Sequence, residues 1–167
     1  MNGTLSMTMN NDGTSGTLTY TNFSIIQDEN NKVVYTSATA AFSFDSSYEL
    51  INMTITINAY QVISGERTDF DNYRLTFVAD SNYNVALTVN GSIRSDCLGG
   101  WVEITTNEAI QGNAYDDCPS AGQIVISGNA SSLTVTFNAD GSVDVSGAVT
   151  DHYDSCNDLD TGACSNY

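Results

Sequence analysis

The acidic segment from residue 151 to residue 164 carries the densest group of side chains that could bind a metal ion. The candidate ligands are Asp154, Asn157, Asp158 and Asp160. Calcium prefers oxygen ligands from carboxylates, amides and backbone carbonyls, and a turn of this composition supplies all three. The spacing departs from an EF-hand loop, since no bidentate glutamate follows. Two interpretations stay open, a calcium site and a solvated acidic tail held by a disulfide, and the loose fit of the motif favours the tail.

The cysteines of the chain form two local pairs. They are Cys97 with Cys118 and Cys156 with Cys164. Several connectivities are open to four cysteines, but pairing nearest neighbours closes loops of ordinary size, so we expect two local disulfides. Disulfides persist in oxidising compartments, which predicts an extracellular, cell-surface or periplasmic location. A zinc site is disfavoured, because the spacings are not the short ones of zinc ligands and the lone His152 is not placed to complete a set.

Trp101 stands in the stretch 97–128, which also holds the single proline and half of the cysteines. We predict that this stretch is a disulfide-closed excursion between two runs of alternating strands. Trp101 can either fill the core beside the disulfide or stand exposed as a platform on which a sugar ring stacks. Core packing is the favoured interpretation, and the ligand platform is the alternative.

His152 is the only histidine and is flanked by aspartates. A Ser-His-Asp relay would need a nucleophile in a special turn, and the sequence has no G-x-S-x-G motif. Asp69 and Asp71 fall in a predicted charged loop, residues 64–72, where aspartate is common for backbone reasons alone. We therefore predict that the protein is not an enzyme.

The charge of the chain is strongly one-sided. Four Lys and Arg residues face 20 Asp and Glu residues, which gives a formal net charge of -16. Nucleic-acid binding depends on Lys and Arg that displace counterions from phosphates, so no nucleic-acid partner is expected. An anionic membrane surface would also repel this chain. The charge favours cation binding or solubility in a salt-rich medium, and solubility is the favoured explanation.

Apolar and polar residues alternate along most of the sequence, which indicates antiparallel strands with one buried and one wet face. The clearest run places on one face Ile51, Met53, Ile55, Ile57 and Ala59. We predict an all-β antiparallel meander of about ten strands that closes as a barrel or a two-layer sandwich. Two runs, 17–26 and 33–44, change face partway along, which predicts a bulge or bend.

Thr-x-Thr steps recur at residues 17–21, 54–56 and 134–136. Such steps are typical of ice-binding faces, which require a regular array in register. Because the period between the steps is irregular, we interpret them as ordinary solvent-facing strand threonines.

The length of 167 residues is that of one ordinary domain. We assign residues 1–150 to a single β domain and residues 151–167 to the acidic, disulfide-stapled tail. No stretch has the ~18 apolar residues of a membrane-spanning helix, so no transmembrane segment is expected. The sequence opens without the charged and apolar run of a secretion leader, so export would require a leader already removed or a start inside a longer protein.

Several segments in the last part of the chain share a recognisable pattern. They are Ile104-Thr105-Thr106, Pro119-Ser120, Gly122 to Gly128 and Asn138 to Gly141. Together they resemble the Thr- and Gly-rich β-repeat regions of exported bacterial proteins and lipoproteins, in which a V-T-T strand leads through a loop to a P-S-G-x-[IL] strand and an N-x-D/N-G turn. The resemblance implies a structural role and no activity. The cysteines that bracket the loop depart from the plainest form of the pattern.

These observations predict a non-enzymatic structural or interaction domain outside the cell or on its surface. The first strand begins almost at residue 1 with no element to cap it, so we expect self-assembly through strand edges. The alternative is a calcium- or carbohydrate-binding module of a surface protein, with calcium at the acidic tail and surface glycans at Trp101.

Overall fold

The computed structural model describes residues 2–47, 49–95 and 98–159, and it confirms the all-β antiparallel meander. Eleven strands of this described part form one sheet, in which the spatial order is the chain order. They are β1 (Asn2–Met9), β2 (Ser15–Ile26), β3 (Lys32–Phe44), β4 (Leu50–Ile63), β5 (Glu66–Ala79), β6 (Asn84–Ser95), β7 (Gly100–Asn113), β8 (Ala121–Ser127), β9 (Ser132–Phe137), β10 (Val143–Gly147) and β11 (Asp151–Tyr153). A short 3₁₀ helix, Cys156–Asp158, follows β11. The described residues include no helix with the length and hydropathy needed to cross a bilayer.

The predicted closure into a barrel or a two-layer sandwich is wrong, because the strands form a single open sheet. Within the described ranges, β1 pairs only with β2, and β11 pairs only with β10. Alternation defines two faces for every strand, but closure depends on how strongly neighbouring strands coil and shift in register. Those quantities are set by cross-strand contacts that alternation does not encode.

The two predicted changes of face are confirmed as irregularities in strand register. The pairing of β1 with β2 shifts near Asn22, whose φ is 49°. The pairing of β3 with β4 shifts between Tyr35 and Ser37. An extra residue in one strand returns the apolar side chains before and after it to the same face. The apolar face therefore runs the whole length of β2 and β3.

One face of the sheet is apolar across most of its width. A cross-strand row at its centre joins Met7, Leu18, Ala40, Ile55, Leu75 and Val89. No second layer of described residues covers this face, and little of it is buried. Across the described ranges, the buried apolar side chains are Ala38, Val62, Val143 and Val145. A single chain therefore builds only half of an ordinary core.

The opposite face is rich in hydroxyl groups, and its threonines are placed more regularly than their sequence spacing indicates. Cross-strand pairing aligns Thr19 with Thr39 and Thr56. A second row contains Thr54, Thr76 and Thr88. The first row continues into Arg74 rather than another threonine, so the array is interrupted. Interrupted rows agree with the interpretation of ordinary strand threonines.

Aspartates at the turns accept hydrogen bonds from nearby backbone N–H groups. The Asp12 carboxylate lies 2.9 Å from Thr14 N, and the Asp80 carboxylate lies 3.0 Å from Asn84 N. Hydrogen bonds, first from the side chains of Thr14 and Asn84, hold the pKa values of Asp12 and Asp80 below the ordinary value. Part of the large negative charge therefore has a local structural role in ending strands.

The predicted charged loop at residues 64–72 is wrong, since β5 begins at Glu66 directly after a tight turn. Asp69 and Asp71 are strand residues. The strand tolerates these charges because arginines on the same face pair with Asp69. Residues 151–153, which the sequence placed in the acidic tail, add β11 to the sheet.

Candidate functional site

The most concentrated group of charged and aromatic side chains lies on the hydroxyl-rich face, at the end of the sheet where β4 leads into β5. Strand register assembles it: Asp69 in β5 lies opposite Tyr60 in β4 and opposite Arg94 in β6. Arg94 in turn lies opposite Trp101 in β7. Side chains directly opposite each other in antiparallel strands lie on the same face of the sheet. Arg67 lies two positions before Asp69 in β5, so it shares the face of Asp69. We call these five residues the arginine–aromatic cluster.

Asp69 is the centre of the cluster, and both arginines bind its carboxylate. Arg67 Nη2 lies 2.6 Å from Asp69 Oδ1, and Arg94 Nη2 lies 2.9 Å from Asp69 Oδ2. Asp69 is only 9% exposed. Hydrogen bonds, first from Arg67 and then from Arg94, lower the pKa of its carboxyl. The ionised carboxylate fixes the position of both guanidinium groups.

Each fixed guanidinium group stacks on an aromatic ring. Arg67 Cζ lies 4.2 Å from the centre of the Tyr60 ring, and Arg94 Cζ lies 5.1 Å from the Trp101 ring. These distances are those of cation–π contacts. Trp101 remains 45% exposed, so the prediction that it packs in the core is wrong. The cause is the phase of β7, which directs Val102 rather than Trp101 to the apolar face through its pairing with Ile93.

An open groove of about 780 Å³ borders Trp101. The loop between β8 and β9, residues 128–131, forms part of its wall. Its polar lining includes Ser92, Glu103, Ser127, Asn129 and Ser131. An exposed indole beside carboxylate, hydroxyl and amide groups suits a sugar, whose C–H face stacks on the ring while its hydroxyls bind the polar groups.

Three of the four predicted calcium ligands lie in the described part of the chain, after β11. The Asp154 side chain is 98% exposed. Asn157 and Asp158 belong to the 3₁₀ helix, whose N-cap Ser155 accepts a hydrogen bond from Asn157 N at 3.2 Å. Asp160 lies outside the described residues. Among the residues that the structure describes, no group of three or more His, Cys, Asp or Glu is placed to hold a metal ion.

His152 joins β11 to β10. Its Nδ1 lies 2.7 Å from Oδ1 of Asp144, its cross-strand partner, and its Nε2 lies 3.6 Å from Asp154 Oδ1. The hydrogen bond to Asp144 raises the pKa of His152, although the side chain is 55% exposed. The geometry is that of a surface ion pair between two strands.

The predicted disulfide connectivity is wrong. Cys118 bonds to Cys156, 38 positions further along the chain, so neither predicted pair can form. The other two cysteines, Cys97 and Cys164, lie outside the described residues. The loop after β7 and the segment after β11 reach the same end of the sheet, where Cys156 N also donates to Gly141 O at 3.0 Å. Strand order, not sequence proximity, therefore decides the pairing.

Two predictions about local structure concealed the cluster. The stretch 97–128, expected as a disulfide-closed excursion, consists mainly of β7 and β8, and Trp101, expected on the core side, lies on the polar face of β7. The interpretation of residues 64–72 as a loop does not predict the contact between Arg67 and Asp69. The available signal was the spacing of these two residues, which places both on one face of a strand.

The molecule is thus an open, two-faced β-sheet domain with one long bare edge and a cluster of arginines and aromatics on its polar face. Comparison of the chain with protein-family models, with curated proteins and with solved structures finds no match.

Proposed function

We propose that this domain is a non-enzymatic structural or interaction module that associates with other copies through the edge of β1. The observation that carries the proposal is the edge itself. All eight residues of β1 are exposed, and no described strand pairs with its outer side. Such an edge offers a row of N–H and C=O groups to another chain. Proteins that block an edge place Lys, Pro or other charges on it, and β1 has none of these residues.

The two edges differ in length, which defines the geometry of association. β11 has three residues and β1 has eight, so β1 of one copy has no matching ladder on β11 of the next. Two β1 strands that run antiparallel about a two-fold axis are matched by symmetry. Such isologous pairing closes on itself, and its product is a dimer with one sheet continuous across both copies.

An oxidising location outside the cytoplasm is part of the proposal. The disulfide between Cys118 and Cys156 supports it, because such bonds persist in extracellular, cell-surface and periplasmic proteins. The non-enzymatic role is supported by how polar side chains are used: Asp69 and His152 both bind residues of neighbouring strands and so hold the sheet together.

Proline substitutions in β1 test the edge. Consecutive residues of a strand direct their N–H groups to opposite sides, so one N–H of Ser6 and Met7 faces β2 and the other faces outward. In Ser6→Pro and Met7→Pro, made separately, the outward substitution should abolish pairing through the β1 edge and keep the fold, whereas the inward one should also weaken the β1–β2 ladder. Light scattering should give the wild type at least twice the chain mass of 17.8 kDa. The outward variant should have a mass about twofold lower than the wild type.

Circular dichroism shows which proline variant keeps its strands and so identifies the outward one. The measurements should be made at high salt, because the net charge of -16 opposes association when it is unscreened. A wild-type mass of 17.8 kDa at high protein concentration would contradict the proposal. An unchanged mass in both proline variants would place the contact elsewhere and would contradict it as well.

Carbohydrate binding at Trp101 is a second candidate function, favoured by the exposed indole beside the groove at residues 128–131. Trp101 is the only tryptophan, so a change in tryptophan fluorescence on adding an oligosaccharide reports on this site. Calorimetry should then show binding to the wild type and none to Trp101→Ala. The control is Tyr115→Ala, which removes an aromatic that is 77% exposed and lies outside the groove. A panel of neutral and acidic oligosaccharides without any response would remove this candidate.

A further inference from the structure

The apolar face of the sheet leaves a large surface in contact with solvent. The chain exposes 10338 Å², whereas a compact monomer of 17.8 kDa exposes about 8,000 Å². The excess is roughly 2,300 Å² by the same scaling. Obligate homodimers bury about 2,000–5,000 Å² in total, about half of it on each partner. The excess, summed over the whole chain, lies within the range that one partner of such a dimer buries.

Charge is segregated away from the centre of this face, and the acidic residues Glu66 and Asp151 lie at its rim. The hydroxyl-rich face carries Lys32, Arg67, Asp69, Arg74, Arg94 and Glu103. The central row of the apolar face, from Met7 across to Val89, carries no charge. A partner for this face must therefore be neutral and apolar, and must tolerate the acidic turns at both ends of the strands. The same face of a second copy meets the first condition, and its own turns lie at the rims of the contact.

The shape of the apolar face is complementary to the same face of a second copy related by a two-fold rotation. A hollow of about 480 Å³ lies over β3, where the side chains of Ala38 and Ala40 are small. Leu75 in β5 and Ala40 in β3 both pair with Ile55 in β4, so they lie at the same height along the strands. A two-fold axis parallel to β4 and above it exchanges the positions of β3 and β5. Leu75 of each copy then lies over the hollow at Ala40 of the other.

We propose that a second copy of this chain covers the apolar face, with the two sheets related by a two-fold axis parallel to β4. Sheets in face-to-face contact pack about 10 Å apart with their strands within about 30° of each other, and two equally twisted sheets can adopt this arrangement. The contact uses a surface different from the edge of β1, so it does not rest on the proposed edge pairing. Each contact is isologous, so a chain that keeps only one of the two forms a dimer.

Leu75→Glu and Thr76→Glu provide a matched test. The two residues are neighbours in β5, both are half-buried, and each lies on a different face of the sheet. Leu75→Glu places a carboxylate at the centre of the proposed contact and should lower the mass measured by light scattering about twofold. Thr76→Glu adds the same charge to the hydroxyl-rich face and should leave the mass unchanged.

Combination with the outward proline variant of β1 separates this contact from edge pairing. That proline variant alone should retain a mass of about twice 17.8 kDa, and the addition of Leu75→Glu should give the monomer. If Leu75→Glu does not fold, Ala40→Phe tests the contact independently, because it fills the hollow without adding charge and should also lower the mass about twofold.

Two outcomes would overturn the proposal. One is a β1-blocked protein that stays at 17.8 kDa at high protein concentration. The other is an unchanged mass in both Leu75→Glu and Ala40→Phe. A folded, β1-blocked monomer that binds detergent micelles through the apolar face would show that a lipid or another apolar partner is the occupant, and it would reject the second copy.

Discussion

The two edges of the sheet are built differently. β1 has eight residues, all exposed, and the strand ladder with β2 is its main attachment to the sheet. β11 has three residues and is fixed by contacts in addition to its ladder. These contacts are the His152–Asp144 ion pair, the Cys118–Cys156 disulfide and the hydrogen bond from Cys156 N to Gly141 O. The shorter edge is therefore the more firmly held.

The apolar side chains show the same contrast. Val143 in β10 is 0% exposed, whereas Leu5 and Met7 in β1 are 56% and 55% exposed. Contacts within the same chain hold the C-terminal edge in place: burial of apolar side chains, a covalent bond and an ion pair. Among the described residues, no comparable contacts hold the N-terminal edge in place. This difference indicates which edge is available to a second chain, and it is why β1 rather than β11 carries the proposed function.

Removal of the disulfide should have the largest effect, and the effect should concentrate at the C-terminal edge. Cys118→Ser with Cys156→Ser should lower the free energy of unfolding by about 2–4 kcal/mol, because the bond joins residues 38 positions apart. Urea unfolding measures the loss, and hydrogen exchange locates it. Exchange should increase in β9 to β11 and remain unchanged in β1 to β4. A uniform increase would contradict the comparison, since both edges would then depend on one bond.

Two glycines allow the same steric defect to be placed inside the sheet and at its bare edge. Gly122 in β8 has a φ of +132°, and a Cβ there would lie 2.5 Å from Ile110 Cα. Gly3 in β1 has a φ of +123°, and a Cβ there would lie 2.5 Å from Phe23 Cα. Gly122→Ala should cost about 1–3 kcal/mol in the free energy of unfolding, which is the strain of a backbone region reserved for glycine.

Gly3→Ala should cost less than about 0.5 kcal/mol in a chain whose β1 edge is free, because the end of an edge strand can detach and relieve the conflict. The difference between the two substitutions, measured by urea unfolding at low protein concentration, is therefore the informative quantity. The proposed pairing of β1 with a second copy predicts that Gly3→Ala becomes more costly at high protein concentration. Equal costs for Gly3→Ala and Gly122→Ala at low concentration would show that β1 is as firmly held as the interior strands.

Alternation of side chains predicts the strands and even the bulges, because a change of face within one run has no other simple explanation. The changes in β2 and β3 lie where the register shifts, near Asn22 and Tyr35. Contacts between distant strands are harder to predict. The bond from Cys118 to Cys156 depends on which loops share an end of the sheet, and the ion pair of Asp69 with Arg94 depends on the register of β5 with β6. Neither contact can be predicted from the spacing of residues along the sequence.

His152 offers the smallest effect and a test of how β11 is held. The hydrogen bond to Asp144 raises the pKa of His152 and lowers that of Asp144. A raised histidine pKa adds stability that is fully present below the ordinary pKa of about 6.5 and is lost as the pH rises through the folded value. The stability difference between the wild type and His152→Gln should therefore be largest near pH 6 or below and should shrink at alkaline pH.

Thermal unfolding across this pH range measures the difference, and hydrogen exchange in β10 and β11 at each pH compares the two proteins locally. Both side chains are more than half exposed, so solvent screens the pair and the shift in unfolding temperature should be small. Added salt should reduce it further. A difference independent of pH would mean that His152 holds β11 by packing alone, and the contrast between the edges would then rest on the disulfide and the burial of Val143.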